Sequence, residues 1–324
     1  MEREMGKVLN IAALPSGWAA LTWKQLVRAW ELHALMAGDR TRWHMEVLLY
    51  LTGLPALRKW RMEDGVLRVR FKGYEVTVTV EELEAWAFGS LAWMDEPYTL
   101  TALPTEFVRV GSTRYRLPQA NLLNFTWQQY NNVQRIMVAL WNMETRLEQL
   151  LRTVLPADER EAARVVNEIG AQVHGIEGDI IGLRAQFLAH TLLPPAFALT
   201  ETKDRTTRLH PHRVYQYDVA TAKRHTERLR KAPQWLFAIV YQVVQSSLGF
   251  YSKQFPDLFK SSGSGHKRRN ELTAEVGTIN AVMKYNGYRD QQDVYDSNAV
   301  FVFEILNTMT KEAEEVKKIS KKKK

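Results

Sequence analysis

The sequence has 324 residues, of which 45% are hydrophobic and 25% charged, and its formal net charge at pH 7 is +8. This composition is typical of a folded protein and excludes disorder along the whole chain. The absence of cysteine excludes disulfides, thiolate-bound zinc, iron–sulfur clusters and cysteine nucleophiles. Because a single core becomes too large beyond roughly 250 to 300 residues, two lobes or a domain with an appendage are expected.

Two helices are predicted in the first fifty residues. Thr22 and Gln25 have the spacing of a capping box, in which each side chain binds the backbone N–H of the other residue. A helix is therefore expected to begin at Trp23 and to stop before Gly38. A second helix is predicted over about 40–51.

Two β-hairpins are predicted next. Residues 65–80 alternate between apolar and polar side chains on either side of Lys72-Gly73, which is typical of a hairpin. Thr79 and Glu82 then form another capping pair, which predicts a short helix over 81–91. A second alternating stretch predicts a hairpin near 106–117.

Long helices are predicted in the middle of the chain. The first covers 131–155, and its apolar residues recur at helical spacing, so that they are expected to form a buried stripe. The stripe consists of Val133, Ile136, Met137, Leu140, Trp141, Leu147, Leu150 and Leu151. The second covers 159–193, where four glycines predict a kink, a break or a close helix contact. These glycines are Gly170, Gly175, Gly178 and Gly182.

The last third of the chain is predicted to be helical with one interruption. A helix is expected from about Asp218, and Pro233 separates it from an apolar helix over 234–251. Glycine and serine followed by a basic cluster predict a flexible linker over 260–270. Residues 271–324 are predicted to form two helices that are broken near Asn286 and Gly287, with a lysine tail.

The predicted fold is therefore mainly α with one or two small β-hairpins. A helical body over 1–259 carries the hairpins near 65–80 and 106–117 as insertions. The linker over 260–270 joins it to a helical C-terminal extension over 271–324. The longest apolar run, 235–244, is about half of the roughly 20 residues that span a bilayer, and the N-terminus is a poor secretion signal. We therefore expect an intracellular protein without a membrane partner.

No pattern of residues predicts an enzyme. His210, His212 and His225 are the clustered histidines, and a metal site or a polar loop both fit them. Asp290, Asp293 and Asp296 share one helical face, which suits a cation or a solvated surface. The stretch 263–269 departs from the phosphate-binding loop, because arginine stands where a hydroxyl is needed. We predict no catalytic residues, no metal and no cofactor.

Two sets of residues are predicted to contact partners. Most of the ten tryptophans fit a core, but Trp60, Trp86 and Trp93 lie near the ends of predicted elements and are candidates for an interface. Residues 311–324 supply half of the net charge, which suits either a nucleic-acid contact or a solvated helix end. The basic candidates are Lys267, Arg268, Arg269, Lys321, Lys322, Lys323 and Lys324.

Four stretches resemble uncharacterised proteins of phages and prophages of Bacteroides-type bacteria. These stretches are 14–25 with its Leu-Pro-Ser-Gly-Trp and Leu-Thr-Trp-Lys-Gln, 52–55, 115–129 with its Tyr-Arg-Leu-Pro and Asn-Phe-Thr-Trp-Gln-Gln, and 255–259. Together they cover the outline of residues 1–260. In size and helix content such proteins are similar to the tail-assembly chaperones of long-tailed phages.

The resemblance implies a non-enzymatic assembly protein that keeps a helical tape-measure-like partner soluble in the cytoplasm of the bacterial host. Its partners would be phage proteins of the tape-measure or tail-tube type, and a homo-oligomer is left open. The alternative is a virion structural or nucleic-acid-associated protein that uses the basic C-terminal tail. A third possibility, an enzyme with a scattered site, would require a pocket that gathers several titratable side chains.

Overall fold

The computed structural model describes residues 2–5, 8, 13–36, 38–154, 158–194, 217–259 and 271–322. The helices in these residues are α1 (Trp23–Met36), α2 (Arg40–Thr52), α3 (Val80–Ser90), α4 (Trp127–Leu151), α5 (Glu159–Thr191), α6 (Val219–Leu229), α7 (Gln234–Gln254), α8 (Pro256–Phe259), α9 (Glu271–Asn286), α10 (Gln291–Asp296) and α11 (Ala299–Lys322). The strands are β1 (Glu2–Glu4), β2 (Arg61–Glu63), β3 (Val66–Phe71), β4 (Tyr74–Thr79), β5 (Phe107–Val110) and β6 (Thr113–Arg116). The fold is mainly helical with small hairpins, as predicted.

The chain forms two compact units. The first contains Met1–Thr105 and Pro233–Ser246, and the second contains Glu106–Ala232 and Ser247–Lys324. The helix α7 is therefore shared, because its residues up to Ser246 belong to the first unit and the rest belong to the second.

The first unit contains a four-stranded sheet in the order β1, β4, β3, β2. The strand β1 runs parallel to β4, and the other neighbours are antiparallel. The hairpin between β3 and β4 turns at Lys72 and Gly73, whose φ angles are 48° and 83°. Positive φ at both turn residues is the geometry that matches the twist of a two-residue hairpin, and it confirms the predicted turn.

The core of the first unit lies on one face of this sheet. Leu67 and Val69 of β3 are buried, as are Val76 and Val78 of β4, while the alternate side chains face away from the core. The helices α1, α2 and α3, the segments next to them and Ile239 of α7 supply the rest of this core. The apolar residues of the alternating strands and those of the helices therefore form one cluster.

Two predicted capping boxes are confirmed. Thr22 and Gln25 exchange hydrogen bonds ahead of α1, with N···O distances of 2.9 Å and 3.3 Å. Thr79 and Glu82 do the same ahead of α3, at 3.0 Å and 3.1 Å. Each box satisfies two backbone N–H groups that the first turn of a helix leaves without a partner.

The second unit is built on the long helices α4 and α5. The hairpin of β5 and β6, the helix α6 and the C-terminal helices surround their adjoining ends. At this end the side chains of Phe125, Leu140, Phe187 and Leu188 are buried. The aromatic ring of Phe303 on α11 contacts rings from α4, α7 and α8.

Two helix predictions need correction. The helix α4 begins at Trp127, four residues before the predicted start, because the Thr126 hydroxyl caps it by accepting from the Gln129 N–H at 3.1 Å. The four glycines predicted a kink, a break or a close helix contact in the second long helix, and a break does not occur, since α5 is continuous over 33 residues. At Gly182 an added Cβ would lie 3.4 Å from Nη2 of the Arg230 side chain, which is an ordinary van der Waals distance.

The C-terminal region has three helices where two were predicted. The predicted break is confirmed, since α9 ends at Asn286 and Gly287 has a positive φ of 70°. The extra helix α10 is capped by Asp290, whose carboxylate accepts from the Asp293 N–H at 2.9 Å. Both α10 and α11 contact α4. The predicted linker over 260–270 lies outside the described residues, so the division of the chain there stays a prediction.

Candidate protein-interaction surface

The helices α4 and α5 form an antiparallel hairpin. Near the start of α4, the Gln129 Nε2 donates to the carbonyl oxygen of His190 near the end of α5, at 2.7 Å. Further along, the Arg184 Nη2 donates to Glu144 Oε1 at 3.2 Å. From the first pair to the second, the residue numbers rise on α4 and fall on α5. The hairpin therefore extends from its base at 129 and 190 toward the end of α4 and the start of α5.

The far end of this hairpin, which we call the hairpin tip, consists of the described residues 141–154 and 158–175. None of them is buried. The hairpin base is different, because Val133 and Leu140 on α4 and Ile176 and Ile180 on α5 are all at most 5% exposed. Beyond Leu140 and Ile176 the two helices therefore extend out of the core of the second unit. Among the described residues, each helix is the main cover for the apolar face of the other.

The apolar stripe of α4 continues past the point where the core ends. Leu140 is 1% exposed, Leu147 is half-buried, Leu151 is 66% exposed and Val154 is 89% exposed. Leu140, Leu147 and Leu151 are spaced by seven and four, so they lie on one face of the helix, and Val154 follows three residues after its end. The stripe that was predicted to be buried is thus buried only at its start.

The stripe of α5 behaves in the same way. From Ile176 toward the tip, Val173, Ile169 and Val165 are half-buried, and Val166 is 50% exposed. Two facing helices cover only part of each other's apolar side chains, and a third element is normally needed to bury the seam. The tip therefore presents an apolar seam along two helices.

A tryptophan adds to this apolar surface. Trp141 is 65% exposed and Val138, one turn nearer the base, is 50% exposed. Trp141 was placed in the predicted buried stripe, and this prediction is wrong. Large exposed aromatic side chains are common at protein interfaces, because they bury a large area with few rotatable bonds.

The charges of the tip have an acidic excess. Its described residues contain six acidic and four basic side chains, so that its net charge is −2 within a chain of net charge +8. Some of these charges pair along the helices, as in Arg164 with Glu168 at 3.7 Å. Such exposed pairs contribute little to stability, but the excess favours a basic partner.

A polar network closes the hairpin base. Nδ1 of His190 and the hydroxyl of Tyr217 form a hydrogen bond, and the Asn132 Nδ2 donates to the Tyr217 oxygen at 3.3 Å. Burial lowers the pKa of His190 to about 4, and the charge of Lys223 adds to this effect. Burial also raises the pKa of Tyr217. Both groups are therefore neutral at pH 7.

The tryptophans predicted to contact a partner lie largely inside the first unit. Trp60 is 8% exposed and its Nε1 donates to the carbonyl oxygen of Pro55 at 2.8 Å, and Trp93 is 9% exposed. Trp86 is half-buried against the same core. This burial leaves Trp60 and Trp93 little surface for a partner, and of the three only Trp86 retains some.

The predicted basic residues are mostly outside the described part of the chain. Lys267, Arg268, Arg269, Lys323 and Lys324 lie beyond it, and Lys321 and Lys322 are placed in α11 without a described side chain. Their contacts with a partner stay a prediction.

The histidine cluster is described only in part. His210 and His212 lie outside the described residues, and Nδ1 of His225 is 2.9 Å from the Tyr115 hydroxyl oxygen. Within the described ranges, no group of three or more His, Cys, Asp or Glu side chains is placed to hold a metal ion. In the same residues no helix has both the length and the apolar character needed to cross a membrane.

Known proteins do not identify this surface. No protein family, no curated protein and no solved structure matches the chain.

Proposed function

We propose that this protein is a non-enzymatic assembly protein that binds an amphipathic helix of another protein along the hairpin tip. The observation that carries the proposal is the apolar stripe of α4, which changes from 1% exposure at Leu140 to 66% at Leu151 while its helical spacing is kept. A stripe of this kind is what a docked helix covers in helix-in-groove recognition.

The energy available at the tip is sufficient for a specific contact. Full burial of a Val or Leu side chain contributes about 1.5 to 3 kcal/mol. The exposed side chains of Trp141, Leu151, Val154 and Val166 offer several such contributions. Association and the ordering of side chains consume part of this energy, so we expect a reversible complex, as a chaperone requires.

The chemistry of the tip also indicates the kind of helix. With a net charge of −2 around an apolar seam, the tip favours a helix with one apolar face and basic flanks. A long helical protein that is insoluble before assembly would present many such faces. On this basis, and on the resemblance to tail-assembly chaperones, we propose a tape-measure-like protein as the partner.

Co-expression tests this proposal. The full chain, produced together with a helical tape-measure fragment that is insoluble alone, should move most of that fragment into the soluble fraction, because the tip covers its apolar face. A variant with Leu151→Glu should lose this effect. Leu35→Glu is the matched control, since Leu35 is 68% exposed on α1 and Leu151 is 66% exposed. An unchanged soluble fraction with the unmodified chain would count against the chaperone role.

The second candidate function is nucleic-acid binding through the end of α11. Lys311, Lys317 and Lys318 are exposed there, next to the other lysines of 311–324. If this function holds, affinity for DNA or RNA should fall steeply with salt concentration, because each phosphate contact releases counterions. Deletion of 311–324 should then abolish binding in a filter or gel-shift assay. Binding that survives the deletion would exclude the tail as the site.

A further inference from the structure

A second concave surface lies in the first unit. It is a cleft of about 450 Å³ whose floor contains Trp18, Trp43 and Met94, which are at most 8% exposed. Trp30 and Tyr98 also line it, and both are half-buried. This volume is within the range of about 300 to 1,000 Å³ that is usual for small-molecule sites.

The aromatic lining is held in place by contacts within the unit. The Trp43 Nε1 donates to the carbonyl oxygen of Ala29 at 2.9 Å, which fixes its ring. The ring of Trp18 packs against Tyr98 with a centroid distance of 5.3 Å. The Ser246 hydroxyl donates to the carbonyl oxygen of Tyr98 at 2.5 Å and holds that segment to α7. The cleft is therefore formed before any ligand arrives.

The charge at the cleft is negative. Burial lowers the pKa of His33 and raises the pKa of Tyr98, so both line the cleft as neutral groups at pH 7. The charged group among the described residues that line the cleft is then the carboxylate of Glu96. It is exposed at the rim. The carboxylate of the neighbouring Asp95 adds no unpaired charge to the cleft, because it is paired with Arg40.

The polar atoms around the cleft also suit a particular ligand. The side chains of Gln242 and Gln245 provide carbonyl oxygens at the rim. The indole N–H groups of Trp18 and Trp30 have no acceptor among the described residues. Both indole nitrogens are buried and cannot be reached from the cleft, so the glutamine oxygens are the acceptors that remain for the N–H donors of a cationic head.

We propose that this cleft binds an organic cation with an apolar stem, such as the side chain of an arginine or a lysine in a peptide. Aromatic rings attract cations through the negative charge density of their faces, and the Glu96 carboxylate adds a direct ionic partner. The proposal concerns the first unit and does not depend on the hairpin tip, which belongs to the second.

Titration of the full chain followed by nitrogen-15 NMR tests the proposal. The indole N–H signals should shift with N-acetyl-arginine amide and should stay in place with glucose and with N-acetyl-glutamate amide. Tetramethylammonium distinguishes the source of the cation. If it binds more tightly than the arginine derivative, the ligand is a free ammonium compound, and if more weakly, a peptide side chain.

Two variants complete the test. Glu96→Gln should weaken binding of the arginine derivative about three- to tenfold, because it removes the charge and keeps the shape. Glu75→Gln, at an exposed carboxylate on the sheet of the same unit, should leave binding unchanged. The proposal is overturned if no indole signal moves with either cation at millimolar concentration, if glucose binds as tightly, or if both variants bind equally well.

Discussion

Acidification from pH 7.5 to pH 4.5 should lower the free energy of unfolding of the second unit by roughly 2 to 3 kcal/mol through His190 alone. The pKa of this histidine is about 4 in the folded chain against 6.5 for a free histidine. Between these two values the unfolded chain binds a proton that the folded chain does not bind. Stability is therefore fully present above pH 6.5 and is lost as the pH falls toward 4.

Urea unfolding at a series of pH values measures this effect. His190→Gln should flatten the dependence between pH 6.5 and pH 4, since an amide can still form a hydrogen bond with the Tyr217 hydroxyl but does not titrate. His174→Gln is the control, because His174 is exposed on the same helix. His33 and His225, whose pKa values are also lowered by burial, should leave a smaller residual slope. An equal slope in the unmodified chain and in His190→Gln would contradict the assignment.

Two truncations on α5 should differ widely in their effect on stability. Phe187→Ala should reduce the free energy of unfolding by about 3 to 5 kcal/mol, because it removes a fully buried ring and leaves a cavity. Val166→Ala should change it by less than about 0.5 kcal/mol, because Val166 is 50% exposed and alanine favours the helix. The two residues lie on one helix, so the comparison separates its base from its tip.

Chemical denaturation followed by far-ultraviolet circular dichroism provides both values. If Val166→Ala proved as destabilising as Phe187→Ala, the tip would have to be packed in solution, for example against a second copy of the chain. That outcome would remove the free apolar seam on which the proposed function is based.

The local parts of the fold were predictable from the sequence because they depend on neighbouring residues. The capping pair of Thr79 and Glu82 and the turn at Lys72 and Gly73 are examples, since their geometry is set within four residues. For α5 the four glycines left a kink, a break or a close helix contact open, and a break does not occur. An interior glycine lowers helix stability by about 1 kcal/mol relative to alanine. Packing at the hairpin base and the length of the helix offset this cost.

The candidate surface was not predictable in the same way. Periodicity shows that Leu140 and Leu151 share a helix face, but it does not show where the neighbouring elements stop covering that face. The same limit applies to Trp93, which was expected at an interface because of its position near an element end. It packs instead against Trp18, with ring centroids 5.1 Å apart. Both outcomes depend on tertiary contacts.

Binding at the hairpin tip is measured most directly by isothermal titration of a short amphipathic helical peptide with basic flanks, chosen to be soluble alone, with three forms of the chain. The unmodified chain and Leu35→Glu should bind with equal affinity, because Leu35 lies on α1 in the first unit. The double variant Leu151→Glu, Val166→Glu should bind at least about tenfold more weakly, since it places two charges on the apolar seam. Equal binding by the double variant, or an equal loss in Leu35→Glu, would contradict the proposal that the tip is the partner-binding surface.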